Sequence, residues 1–374
     1  MSVSFDFEVI DKKTNIYVVY AGRQRKYLQD FLINNRVYLD LPLSGVDINI
    51  ASSRENARRA ARGAHAIKRR LNGDKDFEIP PSLADLSGDP IKAPKHLNQL
   101  VGSIVKLFAN AKVGDLIVTP DAGMYGTVYF GRIDAPFHPD DRLVLNEYDG
   151  YSAPYRRVRW LRSDVEKRAL PKDIVKYVQK PPAVGKVKVD EITSKFFDFA
   201  FYSYIYGDIS RIIFDAPNYT GRDFYELDSS ITLIQFLLAS YSMDSESFVA
   251  ALMRASSIDQ FVSLHRGREG VLRASMEFHS PGWFDVKRRS AAFALFAAII
   301  LSSSSDKWIE TADRFVSEAA LEGGEAHAAA SAARDRVEAF SRVLPREFSL
   351  ELDDLREEAE SEVGLRASVH RGPK

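Results

Sequence analysis

The chain contains no cysteine. That excludes disulfides, thiolate metal sites and a cysteine nucleophile, and it fits a reducing compartment. Excess charge is missing too: 51 Lys and Arg stand against 52 Asp and Glu. Any attraction to a polyanion must therefore be local rather than global. The seven histidines are scattered without ligand spacing, so no metal is expected. No Walker A, G-x-G-x-x-G or G-x-S-x-G pattern occurs, and no cofactor is expected. The start, MSVSFDFEVIDKKTNIYVV, lacks a basic segment followed by an apolar one. The apolar run Ala291 to Leu301, preceded by Lys287, Arg288 and Arg289, is shorter than the roughly 20 residues a bilayer needs. It reads as a buried helix, and the expectation is a cytoplasmic protein with no membrane partner.

What is present is enough for two domains. A length of 374 residues exceeds the roughly 250–300 at which single cores stop growing. Residues 5 to 20 mix alternation with β-branched and aromatic side chains and read as a strand. Beyond Gly22, a helix presents Tyr27, Leu28 and Phe31 on one side, and a short strand follows over 37–41. Residues 52 to 71 form a basic helix, with Ser52 as N-cap and Glu55 completing a capping box. Residues 74 to 89 are loop-like, and 97 to 108 carry apolar residues at helical spacing. Strands are expected at 116–119, 126–133 and 155–161, with a short helix after Leu170-Pro171. Pro181, Pro182 and Gly185 mark a linker, after which long apolar stretches at helical spacing dominate. No internal repeat is visible. The expected division is 1–180, a linker over 181–188, a helical domain over 189–365 and a flexible tail over 366–374.

Four pieces in order resemble a known family. They are Val113-Gly114-Asp115-Leu116-Ile117-Val118-Thr119-Pro120, then Phe130-Gly131-Arg132-Ile133, then Arg156-Arg157-Val158-Arg159-Trp160-Leu161, then Leu170-Pro171. Ala21-Gly22-Arg23, Tyr27 and Phe31 fit the same pattern. The segment resembles the PUA-like, EVE-like N-terminal domain attached to bacterial Mrr-type restriction proteins, over a little under half the chain. The resemblance implies a small curved β-barrel with flanking helices that binds nucleic acid or a modified base in an aromatic-lined pocket. The physics of the residues agrees. Gly114 permits a tight turn into a strand, and Asp115 can hydrogen-bond that turn's backbone. Gly131 inside a strand marks a bulge or a close approach. The restriction relatives also carry a nuclease with a D…(E/Q)xK site. Asp285-Val286-Lys287 is only a fragment of that pattern, with no acidic partner in strand context upstream.

The candidate base-pocket residues are Arg23, Tyr27, Asn98, Tyr125, Tyr148, Tyr151 and Trp160. Planar faces and an amide are what a flipped base needs. Phe31 and His96 stand beside them. The plainer roles are barrel core for Trp160, because Val158 shares its side, and a helix cap for Asn98. The candidate phosphate contacts are Arg58, Arg62 and Arg69 on the basic helix, where Arg54, Arg58 and Arg62 share a face, and Arg156, Arg157 and Arg159 on the strand. The plainer role of the helix is a solvated face. Tyr202, Tyr204, Tyr206, Tyr219 and Tyr225 crowd the start of the second domain and read as packing.

The expected fold is α+β: a PUA-like barrel followed by an all-α domain. The expected function is a nucleic-acid-binding sensor, in the setting of bacterial anti-phage defence, that recognises a modified base or a DNA feature. The helical half would engage a protein partner or a second copy, and no catalysis is expected. A divergent nuclease and a small nucleotide-ligand sensor are the rival readings.

Overall fold

A computed structural model describes residues 8–42, 52–73, 95–179, 182–190, 192–220, 224–265, 274–279, 283–322 and 324–367. The chain divides into two compact units. The front unit is 13–200; the back unit joins 1–12 to 201–371.

Residues 5–20, read as one strand, supply two strands to different sheets. β1 (Glu8–Ile10) runs parallel to a strand of the back unit, and β2 (Ile16–Val19) enters the front sheet. The Asp11 to Asn15 stretch is polar, which breaks the alternation between them. The front unit continues with α1 (Leu28–Ile33), β3 (Arg36–Tyr38), α2 (Arg54–Leu71) and α3 (Lys95–Ile104). A π-helical turn, Val105–Asn110, extends α3. Then come β4 (Leu116–Pro120), β5 (Thr127–Ile133), β6 (Arg142–Val144), β7 (Ser152–Glu166), α4 (Lys172–Gln179), β8 (Val184–Val187) and α5 (Phe196–Ala200). The sheet order is β3-β7-β5-β4-β2-β8, with β6 on β7, and the sheet curls into a half-barrel. The segment expected as a linker thus contains β8, an edge strand antiparallel to β2. Its valines, Val184 and Val187, are buried. The Pro and Gly that suggested a linker sit at its entrance and inside an edge strand, where both are tolerated.

The V-G-D turn behaves as its chemistry requires. Gly114 has φ +90°, and the Asp115 carboxylate accepts from the backbone N–H groups of Lys112 and Asn15, both at 2.8 Å. It fastens β4 to β2, its parallel neighbour. β4 is buried along its whole length, as expected for a central strand covered on both faces. At Gly131 the β5–β7 register shifts, and an added Cβ would lie 2.5 Å from a Val158 methyl and 2.8 Å from the Trp160 ring. Bulge and close approach coincide there, and both sharpen the curl. The core holds Tyr17, Phe31, Val37, Tyr38, Ile104, Phe108, Ile117 and Val158.

The back unit is not all helical. β9 (Tyr204–Tyr206) and β10 (Ile209–Asp215) form a hairpin across Gly207-Asp208, with Gly207 at φ +60°. Then follow α6 (Asp228–Ser242), α7 (Ser245–Leu252), α8 (Ile258–His265), β11 (Ala274–His279), β12 (Trp283–Arg288), α9 (Ala291–Ser302), α10 (Trp308–Glu322), α11 (Gly324–Val343), α12 (Arg346–Val363) and β13 (Arg366–Ala367). The strands make a sheet in the order β1-β9-β10-β12-β11, with β13 also on β10. The all-α expectation fails here: Tyr204 and Tyr206, read as packing, lie on β9, and residues 209–215 form β10. The Gly-Asp pair between these β-branched runs is a two-residue hairpin signal. The apolar helix α9 is buried nearly all round, as a helix without a polar face must be. Among the described residues, no helix is long and apolar enough to cross a membrane. Residues 74–89, read as loop, and 368–374, part of the expected tail, lie outside the described residues.

Candidate nucleic-acid interface

The basic helix α2 starts one residue later than expected. Its N-cap is Ser53, whose hydroxyl accepts from the Asn56 N–H at 3.3 Å. The capping box therefore fails, and Glu55 instead pairs with Arg59 one turn on, at 2.8 Å. Alanine and glycine line the buried side of α2: Ala57, Ala60, Ala61, Gly63 and Ala64, with Ile67 beyond. The same helix carries seven lysines and arginines against one glutamate. Small residues inward leave the long cations at the open side. Arg54, Arg69 and Arg70 are exposed, while Arg58, Arg59, Arg62 and Lys68 are half-buried, with Nε of Arg58 covered.

The loop before α1 is the second basic segment. Gly22 has φ +74°, and a Cβ there would lie 2.7 Å from the Tyr27 ring, so only glycine fits. Gln24 and Arg25 also take positive φ, +55° and +63°. Such backbone costs about 1–3 kcal/mol per residue and persists where surroundings enforce it. The enforcement is visible. Arg25 lies 3.9 Å over the Tyr20 ring and donates from Nε to the Pro120 carbonyl at 2.7 Å. Arg23 is exposed on this loop.

One carboxylate joins the two basic segments. Asp40 Oδ1 lies 3.2 Å from Lys26 Nζ, and Oδ2 lies 3.3 Å from Lys68 Nζ near the end of α2. The hydroxyls of Tyr27 and Tyr148 both donate to Asp40, at 2.8 and 2.5 Å. Tyr27 also hydrogen-bonds Glu147, which Lys26 reaches at 2.7 Å. Burial pushes the Asp40 carboxyl up, but the two hydroxyls and the two ammonium groups outweigh it and hold it below its usual value. Burial and these carboxylate bonds drive both tyrosines well above theirs. Tyr148 is only 2% exposed. Tyr27 and Tyr148, two of the proposed pocket walls, are thus brought together, but their hydroxyls are spent on carboxylates and their rings are packed. Asp40, Glu147 and Lys26 were not singled out from the sequence, and Lys68 only as one cation of the basic helix, because no spacing links residues 26, 40, 68 and 147.

The remaining candidates scatter. Trp160 is half-buried, and its indole N–H donates to the Phe31 carbonyl at 3.0 Å, tying β7 to α1. Tyr151 is half-buried, and Tyr125 stands 83% exposed at the β4–β5 turn. Asn98 is exposed on α3; the side chain of His96 lies outside the described residues. The three β7 arginines do not act together. Strand alternation places Arg156 with Val158 and Trp160 on the core side, and Arg157 and Arg159 on the other. Arg156 is 2% exposed and donates to the carbonyls of Leu107, Ala111 and Ala135, at 2.9–3.2 Å. Leu107 and Ala111 end the π-helical turn, where carbonyls lack intrahelical partners. Arg156 is therefore a helix terminator supplied by a strand, not an open phosphate contact. Burial lowers its guanidinium to about 10. Arg157 is exposed and holds Asp141 at 2.7 Å; Arg159 is exposed, 4.0 Å from Asp134.

In the back unit, both Asp285 oxygens accept from Arg211, at 2.8 and 2.5 Å. The nuclease-like fragment is an ion pair here. Among the described residues no group of three His, Asp or Glu side chains could hold a metal. No protein family, no curated protein and no solved structure matches the chain.

Proposed function

We propose that the front unit binds nucleic acid, with the open side of α2 and the strained loop at Arg23 following the phosphate backbone. The observation that carries this reading is α2: seven cations and one carboxylate on a helix whose alanine-lined side is buried. A solvated helix of a near-neutral protein needs no such excess, and polyanion binding does. The Asp40 junction supports it by fixing the loop to the end of α2. The packing of Tyr27 and Tyr148 favours backbone contact over a base held between those two rings.

The test is the salt dependence of binding to a labelled 20-base-pair DNA duplex. Each phosphate neutralised contributes roughly −0.9 to the slope of log affinity against log salt. Arg54→Glu, Arg69→Glu and Arg70→Glu together should cut affinity at least tenfold and flatten the slope. A slope near zero, or unchanged binding by the triple variant, refutes the reading. Tight binding of a free nucleotide with little salt dependence would favour a small-ligand sensor instead.

A further inference from the structure

The β4–β5 turn, Asp121 to Gly126, is held rigid while presenting two large apolar side chains to water. Tyr125 is 83% exposed and Met124 53%. Scattered surface hydrophobics are ordinary; the scaffold under this pair is not. Lys167 lies beneath it, 4% exposed, and its ammonium donates to the carbonyls of Asp121 at 2.8 Å and Gly123 at 2.6 Å. The Lys167 backbone N–H donates to the Gly126 carbonyl, and the Asp121 N–H to the Thr127 carbonyl. An added Cβ at Gly126 would sit 2.2 Å from the Ala122 carbonyl oxygen, so the turn closes too tightly for any other residue. Gly123 adds a positive φ of +71°. Gln179 reaches the Met124 sulfur from α4.

A buried ammonium hydrogen-bonded only to carbonyls, with the Asp121 carboxylate as a nearby counter-charge, is costly, and a turn needs no such device merely to reverse the chain. What it secures is a fixed position for the tip, so that little ordering entropy is lost when the tip meets a partner. The charge around the tip indicates which partner. Arg25 is anchored on the Pro120 carbonyl at the base of the turn, and Arg23 is exposed on the same loop. Of the nearby carboxylates, Asp121 accepts from the Ala122 N–H and is offset by the Lys167 ammonium, and Glu166 is paired with Arg168.

We propose that this tip is a stacking finger for an unpaired base, with Tyr125 supplying the flat face, Met124 its flank and the Arg23–Arg25 loop the cationic side towards the phosphate. The proposal rests on the nucleic-acid reading above and adds a preference for unpaired over fully paired strands.

The experiment compares three fluorescent oligonucleotides at one salt concentration: a duplex, the same duplex with one bulged nucleotide, and the single strand. Base–aromatic stacking is worth about 1–3 kcal/mol, so Tyr125→Ala should weaken binding of the bulged and single-stranded probes about 5- to 150-fold. Duplex binding should barely move, and Tyr125→Phe should keep wild-type affinity because the ring, not the hydroxyl, makes the contact. If Tyr125→Ala binds all three probes like the wild type while the α2 triple variant loses them, the finger is refuted and the backbone reading stands. If the wild type binds no probe, both fall. A parallel arm with phosphatidylcholine–phosphatidylglycerol vesicles closes the remaining route: Tyr125-dependent vesicle binding without oligonucleotide preference overturns the proposal in favour of a lipid surface.

Discussion

Arg156 of the front sheet and Arg211 of the back sheet are both buried, and their guanidinium groups are satisfied differently. On the curled front sheet, Arg156 meets three backbone carbonyls. On the back sheet, Arg211 meets a carboxylate, Asp285, with both oxygens engaged and the Phe201 carbonyl as a third partner. The difference teaches what each arginine is for. Arg156 satisfies carbonyls that exist whether or not it is there: two at the end of a helix and one at Ala135. Arg211 satisfies a charge that would otherwise be stranded. Basic residues read from sequence as binding groups can thus be structural in two distinct ways, and only long-range partners separate them from the solvent-facing arginines of α2.

The sharpest way to break the comparison is to remove the carboxylate. Asp285→Ala leaves the Arg211 guanidinium buried without its counter-charge and should destabilise the back unit by about 3–5 kcal/mol in denaturant unfolding. The double replacement Arg211→Leu, Asp285→Leu should recover most of that loss, because a buried pair is often replaceable by apolar groups of similar volume. A single variant as stable as the wild type would show that water reaches the pair. Arg156→Met should cost less, about 1–3 kcal/mol, since it deprives carbonyls rather than stranding a charge. Gly131→Ala should cost a similar amount by overpacking against Val158 and Trp160. A Trp160→Phe background, with a smaller ring at that contact, should soften it.

These pairs also mark where the sequence was legible. Gly114, Asp115 and Gly131 were readable because their constraints are local: a turn, a carboxylate three residues from its donor, a bulge. The order of β4, β5 and β7 and the approximate limits of the first two follow from alternation and turns alone, whereas β7 runs well past 155–161 at both ends, over Ser152–Glu166. The back sheet was not legible as such, because it is built from strands over 8–10, 204–206, 209–215, 274–279, 283–288 and 366–367, which are brought together only by folding. The candidate site shows the same split. The cationic surplus of α2 is written in consecutive residues, whereas Asp40, which gathers residues 26, 27, 68 and 148, leaves no trace in spacing.

The Asp40 junction gives a smaller effect with a definite sign. Folding lowers the Asp40 pKa, so its stabilisation is complete above the unfolded value of about 3.9 and is lost as pH falls through the lower folded value. Asp40→Asn should remove that part of the acid limb and loosen Tyr27 and Tyr148 at neutral pH. The check is unfolding followed from pH 7 down to pH 2. A variant with the wild-type acid limb would mean that Glu147, whose pKa is lowered by Lys26 and Tyr27 despite burial, carries the dependence instead.

The smallest expected change separates stability from function most cleanly. Glu55 pairs with Arg59 on the open side of α2, with the glutamate side chain 72% exposed. An exposed pair one helical turn apart is worth about 0.3–0.5 kcal/mol, so Glu55→Gln should leave unfolding almost unchanged. The same substitution removes the one carboxylate on the helix and frees Arg59. If α2 follows a phosphate backbone, duplex affinity should rise and the salt slope should steepen by about one contact. If the helix is only a solvated face, neither binding quantity moves. A result in which stability falls by several kcal/mol would instead assign the pair to the fold, and α2 would join Arg156 among cations that serve the protein's own backbone.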